Sequence, residues 1–338
     1  MKYLLQSWLA ICALLFAVGC TKSGEKPGRT LWIYTSLYNH VVQDLDQKLK
    51  SKFPDVEIRW YQSGSENVAA KVNSELLGGN TQADLLLTSD PFWYEELKKK
   101  GKLLKYTPPT EAKVRAQFLD PDGFYAGVRL PIMVIGYHRD AFSEQEAPKS
   151  FNDLLKPTFR DKIAMGSPLE SGTAFTSVAV LAKHKGWDYF KKLRENGILV
   201  AGGNSAVFGR IETKERPVGI ILYENLLAAA AKNPNSRITA VLPSDGVILI
   251  PSPVAISATT PHPELAKSVV DFLFSKDAQG AIVSGHMHGL SELSPPLPGA
   301  INLSAVLKLA FPWSPEWIQE VYSKRESIKQ QFSEIVLD

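Results

Sequence analysis

The chain has 338 residues, of which 44% are hydrophobic, 22% charged and 10% aromatic. Those proportions exclude a disordered, collagen-like or coiled-coil protein, and the length suits about two domains of ordinary size. Lysine plus arginine exceeds aspartate plus glutamate by only three, 38 against 35, so no nucleic-acid footprint follows, and a single apolar run near the N-terminus excludes a polytopic membrane protein.

In chain order, Lys2 precedes an apolar stretch from Trp8 to Val18 that ends in small residues. It is too short for a comfortable transmembrane helix and predicts a secretory signal peptide over residues 1–19. Ala17-Val18-Gly19-Cys20 resembles the lipobox of bacterial lipoproteins. That resemblance implies a lipidated Cys20, a flexible tether over residues 20–28 and attachment to a membrane through acyl chains. Cys12 would then leave with the signal peptide. The segment from Arg29 has no thiol, hence no disulfide, no cysteine-ligated metal and no cysteine nucleophile.

Leu31–Tyr34 reads as a buried strand, and His40–Phe53 carries Val41, Val42, Leu45, Leu49 and Phe53 at helical spacing. Val56–Trp60 alternates as a strand does. Ser65 is expected to cap a helix running to Leu77 before Gly78-Gly79. Leu85–Leu87 is a further strand and Pro91–Lys99 a short helix. This strand–helix rhythm predicts a parallel sheet with helical crossovers. Residues 126–137 form a long extended passage, after which the rhythm restarts. A helix opens at Ser150-Phe151-Asn152-Asp153, a strand covers Ile163–Met165, and a helix covers Thr173–Lys185. Strands follow at Ile198–Val200, Val218–Leu222 and Ile238–Leu242, with a helix over Leu226–Lys232. A second extended passage spans 247–258. A helix follows at Pro263–Ser275, and a last one begins at Ser314-Pro315 and carries Trp317, Val321, Ile328, Phe332 and Ile335. Two α/β units joined by two extended passages predict a hinge with a cleft, and ligands of such sheets sit beyond the strand carboxyl ends.

The segment Gly166–Phe175 carries the most chemistry. A strand ends, a polar loop follows, and a helix starts at Ser171-Gly172-Thr173-Ala174. Gly172 would let a ligand approach the backbone. The free amides of the first turn, with the hydroxyls of Ser171 and Thr173, would cradle an anion aided by the helix dipole. The local sequence equally allows an ordinary N-cap formed by Ser171.

Several segments together resemble the type II periplasmic solute-binding proteins of ABC transporters, in the iron(III), sugar-phosphate and phosphonate receptor branch. They are Tyr34-Thr35-Ser36, Ala83–Ser89, Ser171–Ala174, Gly203-Asn204-Ser205-Ala206, Gly219–Glu224 and Phe332–Val336. The resemblance covers nearly all of the chain after the tether. It implies an α/β, two-lobed fold with two hinge-crossing strands: residues 29–128 and 255–300 as lobe 1, 129–254 as lobe 2, and 301–338 as C-terminal helices packing on a lobe. It implies capture of a phosphorylated small molecule, a sugar phosphate or an aminoalkylphosphonate, by hinge closure, and delivery to an ABC permease. The expected protein is a monomer without a cofactor, resident metal, nucleic-acid partner or enzymatic activity.

Carried over residue by residue, the resemblance implies Ser36, Tyr38, Ser89, Ser171, Gly172, Thr173, Ala174, Asn204, Ser205, Tyr223 and Glu224 as the ligand site. Glu224 would accept from sugar hydroxyls or an ammonium, and an aromatic such as Tyr38, Tyr223 or Trp93 could cover a ring face. The chain departs from the iron receptors, which pair two adjacent tyrosines with a histidine and an acid. Here one tyrosine stands in Tyr223-Glu224-Asn225, Tyr38 stands near the histidine position, and Ser89 near the acidic one. A ferric ion needs several anionic oxygen donors. Ferric capture, a ligand-sensing subunit for a membrane histidine kinase, and a secreted phosphoester hydrolase remain as alternatives. His286-Met287-His288 and the basic run Lys98–Lys102 are expected to be a surface loop and a solvated helix end.

Overall fold

A computed structural model describes residues 29–338. The expected signal peptide, lipobox and tether, residues 1–28 with Cys12 and Cys20, lie outside the described residues. Strands β1 (Arg29–Thr35), β2 (Val56–Gln62), β3 (Leu85–Leu87), β4 (Leu103–Leu104) and β5 (Tyr125–Leu130) build a first sheet. The chain then changes sheet. β6 (Ile132–His138), β7 (Ile163–Met165), β8 (Leu199–Val200), β9 (Val218–Leu222), β10 (Ile238–Val241) and β11 (Ile248–Leu249) build the second, and β12 (Ser252–Ser257) and β13 (His288–Gly289) return to the first.

The strand orders are β13-β5-β12-β3-β1-β2, with β4 on β12, and β10-β6-β9-β7-β8, with β11 on β6. β1, β2 and β3 pair in parallel, as do β7, β8 and β9. The crossing strands β5, β6 and β12 pair antiparallel. The two crossings lie side by side, with the Ile250 amide donating to the Pro131 carbonyl at 2.9 Å. Proline at a crossing suits the place, because it has no N–H to give to a ladder. The crossings therefore fall at Pro131 and Ile250-Pro251, a few residues inside the lobe boundaries that the resemblance implies at 128/129 and 254/255. Continuous apolar runs hide the single residue where a strand leaves one sheet for the other.

Helices α1 (Asn39–Lys52), α2 (Ser65–Leu77) and α3 (Pro91–Lys99) cover the first sheet, joined later by α8 (Pro263–Leu273) and α9 (Lys276–Ser284). Helices α4 (Gly172–Lys185), α5 (Trp187–Glu195), α6 (Asn204–Glu212) and α7 (Tyr223–Lys232) cover the second. Each sheet is thus buried on both faces, which explains the uninterrupted apolar runs of β3, β7 and β9. Short helices α10 (Leu303–Leu309), α11 (Pro315–Ser323) and α12 (Arg325–Val336) end the chain.

Several expectations are corrected. Two short 3₁₀ turns, Asn152–Leu155 and Pro157–Phe159, replace the helix expected after Ser150, because Pro157 stops propagation. The final helix is two, broken at Lys324, with the Ser314 hydroxyl accepting from the Trp317 amide at the start of the first. These helices do not sit on one lobe: α11 packs on α3, while α12 packs on α4 and α5. The N-cap of α2 is Gly64, and the Ser65 hydroxyl accepts from the Ser89 amide at 3.2 Å instead of capping its own helix. Lys98 is no solvated end. Its ammonium meets Asp120 at 2.5 Å and Asp122 at 2.7 Å. Met287 and His288 are 1% and 8% exposed, so that segment is a buried edge strand and not a surface loop.

Candidate ligand-binding site

At the carboxyl end of β7 the chain turns and α4 begins with Gly172. Ser171 caps it: its Oγ accepts from the Ala174 amide at 3.4 Å. The two readings of this segment are compatible, because the cap leaves donors to spare. Ser171 Oγ and Thr173 Oγ1 lie 2.9 Å apart, and Asn204 Nδ2 donates to Thr173 Oγ1 at 2.8 Å. Two hydroxyls share one contact, so one hydroxyl proton remains whichever of them donates. The second amide proton of Asn204 also has no acceptor among the described residues, and neither do the Gly172 and Thr173 amides. Donor surplus at a helix start is what an oxyanion requires.

Asn204 reaches this point because α6 starts there. The expected second anion-contacting loop is the first turn of a helix. Asn204 is its first residue, while Ser205 is exposed and Ala174 is buried beneath the cradle.

The opposite wall comes from the ends of β1 and β3. The Ser36 hydroxyl is buried without a partner among the described residues, while its amide donates to the Leu87 carbonyl at 3.1 Å. The walls approach closely at glycines. A Cβ on Gly172 would stand 2.9 Å from Ser65 Cβ, Asp90 Cβ and the Ser89 carbonyl oxygen, and one on Gly64 would stand 3.0 Å from the Glu170 carbonyl oxygen. Gly172 is therefore required by the meeting of the lobes.

The floor is a buried polar network that the sequence did not reveal. Arg129, two residues before the first crossing, donates to Glu224 Oε1 at 3.1 Å, to Ser89 Oγ at 2.6 Å and to Met287 sulfur at 2.9 Å. Arg129 and Glu224 are each 4% exposed. Ser252 Oγ donates to Ser89 Oγ at 3.0 Å, so Ser89 accepts twice and keeps its own proton for another acceptor. Burial pushes the Glu224 carboxyl above its ordinary range, with Arg129 opposing the rise. Glu224 is thus paired with Arg129 through Oε1, while no hydrogen bond engages its Oε2 among the described residues. Tyr38 donates to Asn225 Oδ1 across the cleft at 3.1 Å, and burial pushes its phenol well above the usual range. Tyr223 opens α7 beside Glu224 and packs partly against the core under the second sheet. Trp93 is fully buried, with its indole N–H on Asn73, and belongs to the core.

A cavity of about 560 Å³ lies elsewhere, lined by Tyr137, Arg139, Lys149 and Arg237 at the end of the second sheet remote from Met165. There Arg237 is paired with Asp140, while Arg139 and Lys149 each donate to one carbonyl, of Ser236 and Glu144. The start of α4 instead combines unengaged neutral donors with the carboxyl end of β7, the end of the sheet where ligands of such folds sit.

Residues 80–313 match the family model described as bacterial extracellular solute-binding protein. A candidate ABC transporter periplasmic-binding protein of Sinorhizobium fredii, y4fP, is 26% identical over 243 residues, 68% of this chain and 66% of that protein. A candidate 2-aminoethylphosphonate-binding periplasmic protein of Salmonella typhimurium is 24% identical over 280 residues, 79% of this chain and 80% of the relative. Among solved structures, the periplasmic binding protein AfuA of Actinobacillus pleuropneumoniae with fructose-6-phosphate bound superposes with a TM-score of 0.80 at 24% identity. It covers 92% of this chain and 99% of its own. Iron-bound receptors share the fold as well, so the fold alone does not select a ligand. Among the described residues no helix is long and apolar enough to cross a membrane. The chain belongs to the bacterial extracellular solute-binding protein family, and the relatives it resembles are periplasmic binding proteins of ABC transporters.

Proposed function

We propose that the captured solute carries a phosphoryl or phosphonyl group, seated at the start of α4, and that its remainder is a sugar or an aminoalkyl chain. The observation that carries this reading is the donor surplus of Gly172, Thr173, Ser171 and Asn204, with a further buried hydroxyl, that of Ser36 after β1, without a partner among the described residues. Oxyanions are acceptors only, and a cage of neutral donors holds them without a resident counter-charge. The names of the Salmonella relative and of the AfuA complex point to the same chemistry.

Ser36, Tyr38, Ser89, Tyr223 and Glu224 would line the rest of the solute. Arg129 lies beneath them and holds Glu224 and Ser89 in place. Glu224 Oε2, not engaged by Arg129, would accept from an ammonium or hydroxyl, which is the role the resemblance implies for it. Ferric capture is disfavoured by the same contacts. Glu224 is neutralised by Arg129 and Tyr38 is a phenol donating to an amide, which leaves Tyr223 as the free phenol of the set.

The mechanism is binding followed by closure. Contacts from both lobes exist together only in the closed form, so the solute shifts the population towards it, and the permease receives that form. No covalent step is needed. We extend the reading to a monomer tethered to a membrane through Cys20. Calorimetry with 2-aminoethylphosphonate, hexose phosphates and inorganic phosphate tests the ligand class. Binding of at least one, weakened in Thr173→Ala, supports it. Tight binding of ferric ion with no response to any of the three overturns it.

A further inference from the structure

The C-terminal helix touches both walls of the cleft. By packing, α12 belongs to the second lobe: Phe332 meets Phe190 with ring centres 5.3 Å apart, and Phe332 and Val336 join that core. Its first turns nevertheless reach the first lobe. Arg325 NH2 donates to Glu66 Oε1 at 2.6 Å and to Asp90 Oδ2 at 2.6 Å, and its Nε to the same Asp90 oxygen at 3.2 Å. Lys329 Nζ meets Glu66 Oε2 at 2.8 Å. The guanidinium also lies 5.1 Å from the centre of the Phe175 ring on α4, and its NH1 donates to Glu326 at 3.1 Å. Arg325, Glu66 and Asp90 are 7%, 8% and 1% exposed.

These partners are not incidental to the site. Glu66 stands in the first turn of α2. Asp90 caps α3, its other oxygen accepting from the Phe92 and Trp93 amides. Ser65 and Asp90 are among the residues that would collide with a side chain at position 172, inside the cradle. Arg325 therefore grips the two helix starts that meet the start of α4. It also neutralises carboxylates that would otherwise oppose an anion seated beside them.

We propose that Arg325, with Lys329, is a positioning residue of the binding cleft: through Glu66 and Asp90 it clamps the starts of α2 and α3 against the start of α4 in the closed form. The charge argument rests on the anionic-solute reading above; the clamp itself does not. The cations enter from α12, which packs on α4 and α5, and the two carboxylates from the starts of α2 and α3, beside the packing of Phe92 on Phe175 and Trp317 that joins the same helix starts.

The test places spin labels on exposed positions of the two lobes, Leu77→Cys on α2 and Lys192→Cys on α5, with Cys12→Ser and Cys20→Ser removing the native thiols. Interlobe distances are measured in this background and with Arg325→Met or Arg325→Lys. The clamp predicts a shifted and broadened distribution for Arg325→Met, partly restored by Arg325→Lys, with unchanged far-ultraviolet dichroism. It also predicts an affinity for 2-aminoethylphosphonate or inorganic phosphate weakened about tenfold, as expected when the competent state falls to about a tenth. Thr173→Ala is the comparator, weakening binding without moving the distances. If Arg325→Met does not fold, Lys329→Met at the edge of the cluster must move the distances in the same direction. A folded variant with the parent distance distribution overturns the clamp. If the parent binds neither probe while the distances move as described, the clamp stands and the phosphorylated-solute reading falls.

Discussion

The start of α4 and the floor of the cleft are both polar and both lie near the meeting of the lobes, yet they are built on opposite principles. The cradle consists of neutral donors on consecutive residues, Ser171, Gly172 and Thr173, with Asn204 from the next helix. The floor consists of a buried ion pair, Arg129 and Glu224, drawn from a strand of one sheet and a helix on the other. A neutral cradle tolerates emptiness, because water can satisfy hydroxyls and amides. A buried ion pair does not, because removing one partner leaves an uncompensated charge. The two regions should therefore answer differently to mutation: loss of affinity in the cradle, loss of stability in the floor.

Arg129→Met should have the largest effect. It leaves Glu224 buried and unpaired, and denaturant unfolding should show a loss of about 3–5 kcal/mol. Arg129→Met with Glu224→Gln should recover much of that. A single variant as stable as the parent would break the contrast between floor and cradle.

Next comes His288 on β13, which pairs with Leu130 of β5, one residue from Arg129 in the ladder. Burial holds its imidazole down at about 4. The unfolded chain takes up this proton as pH falls below about 6.5, whereas the folded chain does so only near 4. Its contribution is fully present above about 6.5 and is lost as pH falls towards 4, up to about 3 kcal/mol in all. Unfolding curves from pH 7.5 to 4.5 should show this slope in the parent and a flatter one in His288→Phe. Equal slopes would remove His288 from the account.

In the cradle, Thr173→Ala should cost about 1–2 kcal/mol of binding for every phosphorylated solute, with little change in stability. A melting temperature lowered as much as the affinity would make Thr173 a structural residue. The smallest effect belongs to Tyr38→Phe. It removes the hydrogen bond to Asn225 and should weaken binding by about 1 kcal/mol or less.

The same contrast explains what was legible beforehand. The cradle is a run of neighbouring residues at the start of a helix, and helix starts announce themselves through capping residues and the apolar spacing that follows. Strands β3, β7 and β9 and helix α3 appear with the expected ends for similar reasons: apolar runs bounded by glycine, proline and polar residues. Helix α6 was missed because Gly202-Gly203 reads as a loop, although Val207 and Ile211 already face a core four residues apart.

Arg129 sits in a run of strand residues, where an arginine reads as an outward-facing side chain. Only the folding of α7 and β13 around it turns it inward. The grip of Arg325 on Glu66 spans more than 250 positions and leaves no local pattern. The crossing points were blurred because both sheets are buried on both faces. A strand leaving one for the other therefore changes neither its hydropathy nor its period.

The most direct test is a crystal structure of the protein with its solute retained or soaked in, locating phosphorus by density and by its hydrogen-bonding neighbours. The account predicts phosphoryl or phosphonyl oxygens within hydrogen-bond reach of the Gly172 and Thr173 amides and the Asn204 side chain, under a cleft shut by Ser36 and Ser89. A solute lodged at another surface, with only solvent at the tip of α4, would contradict it.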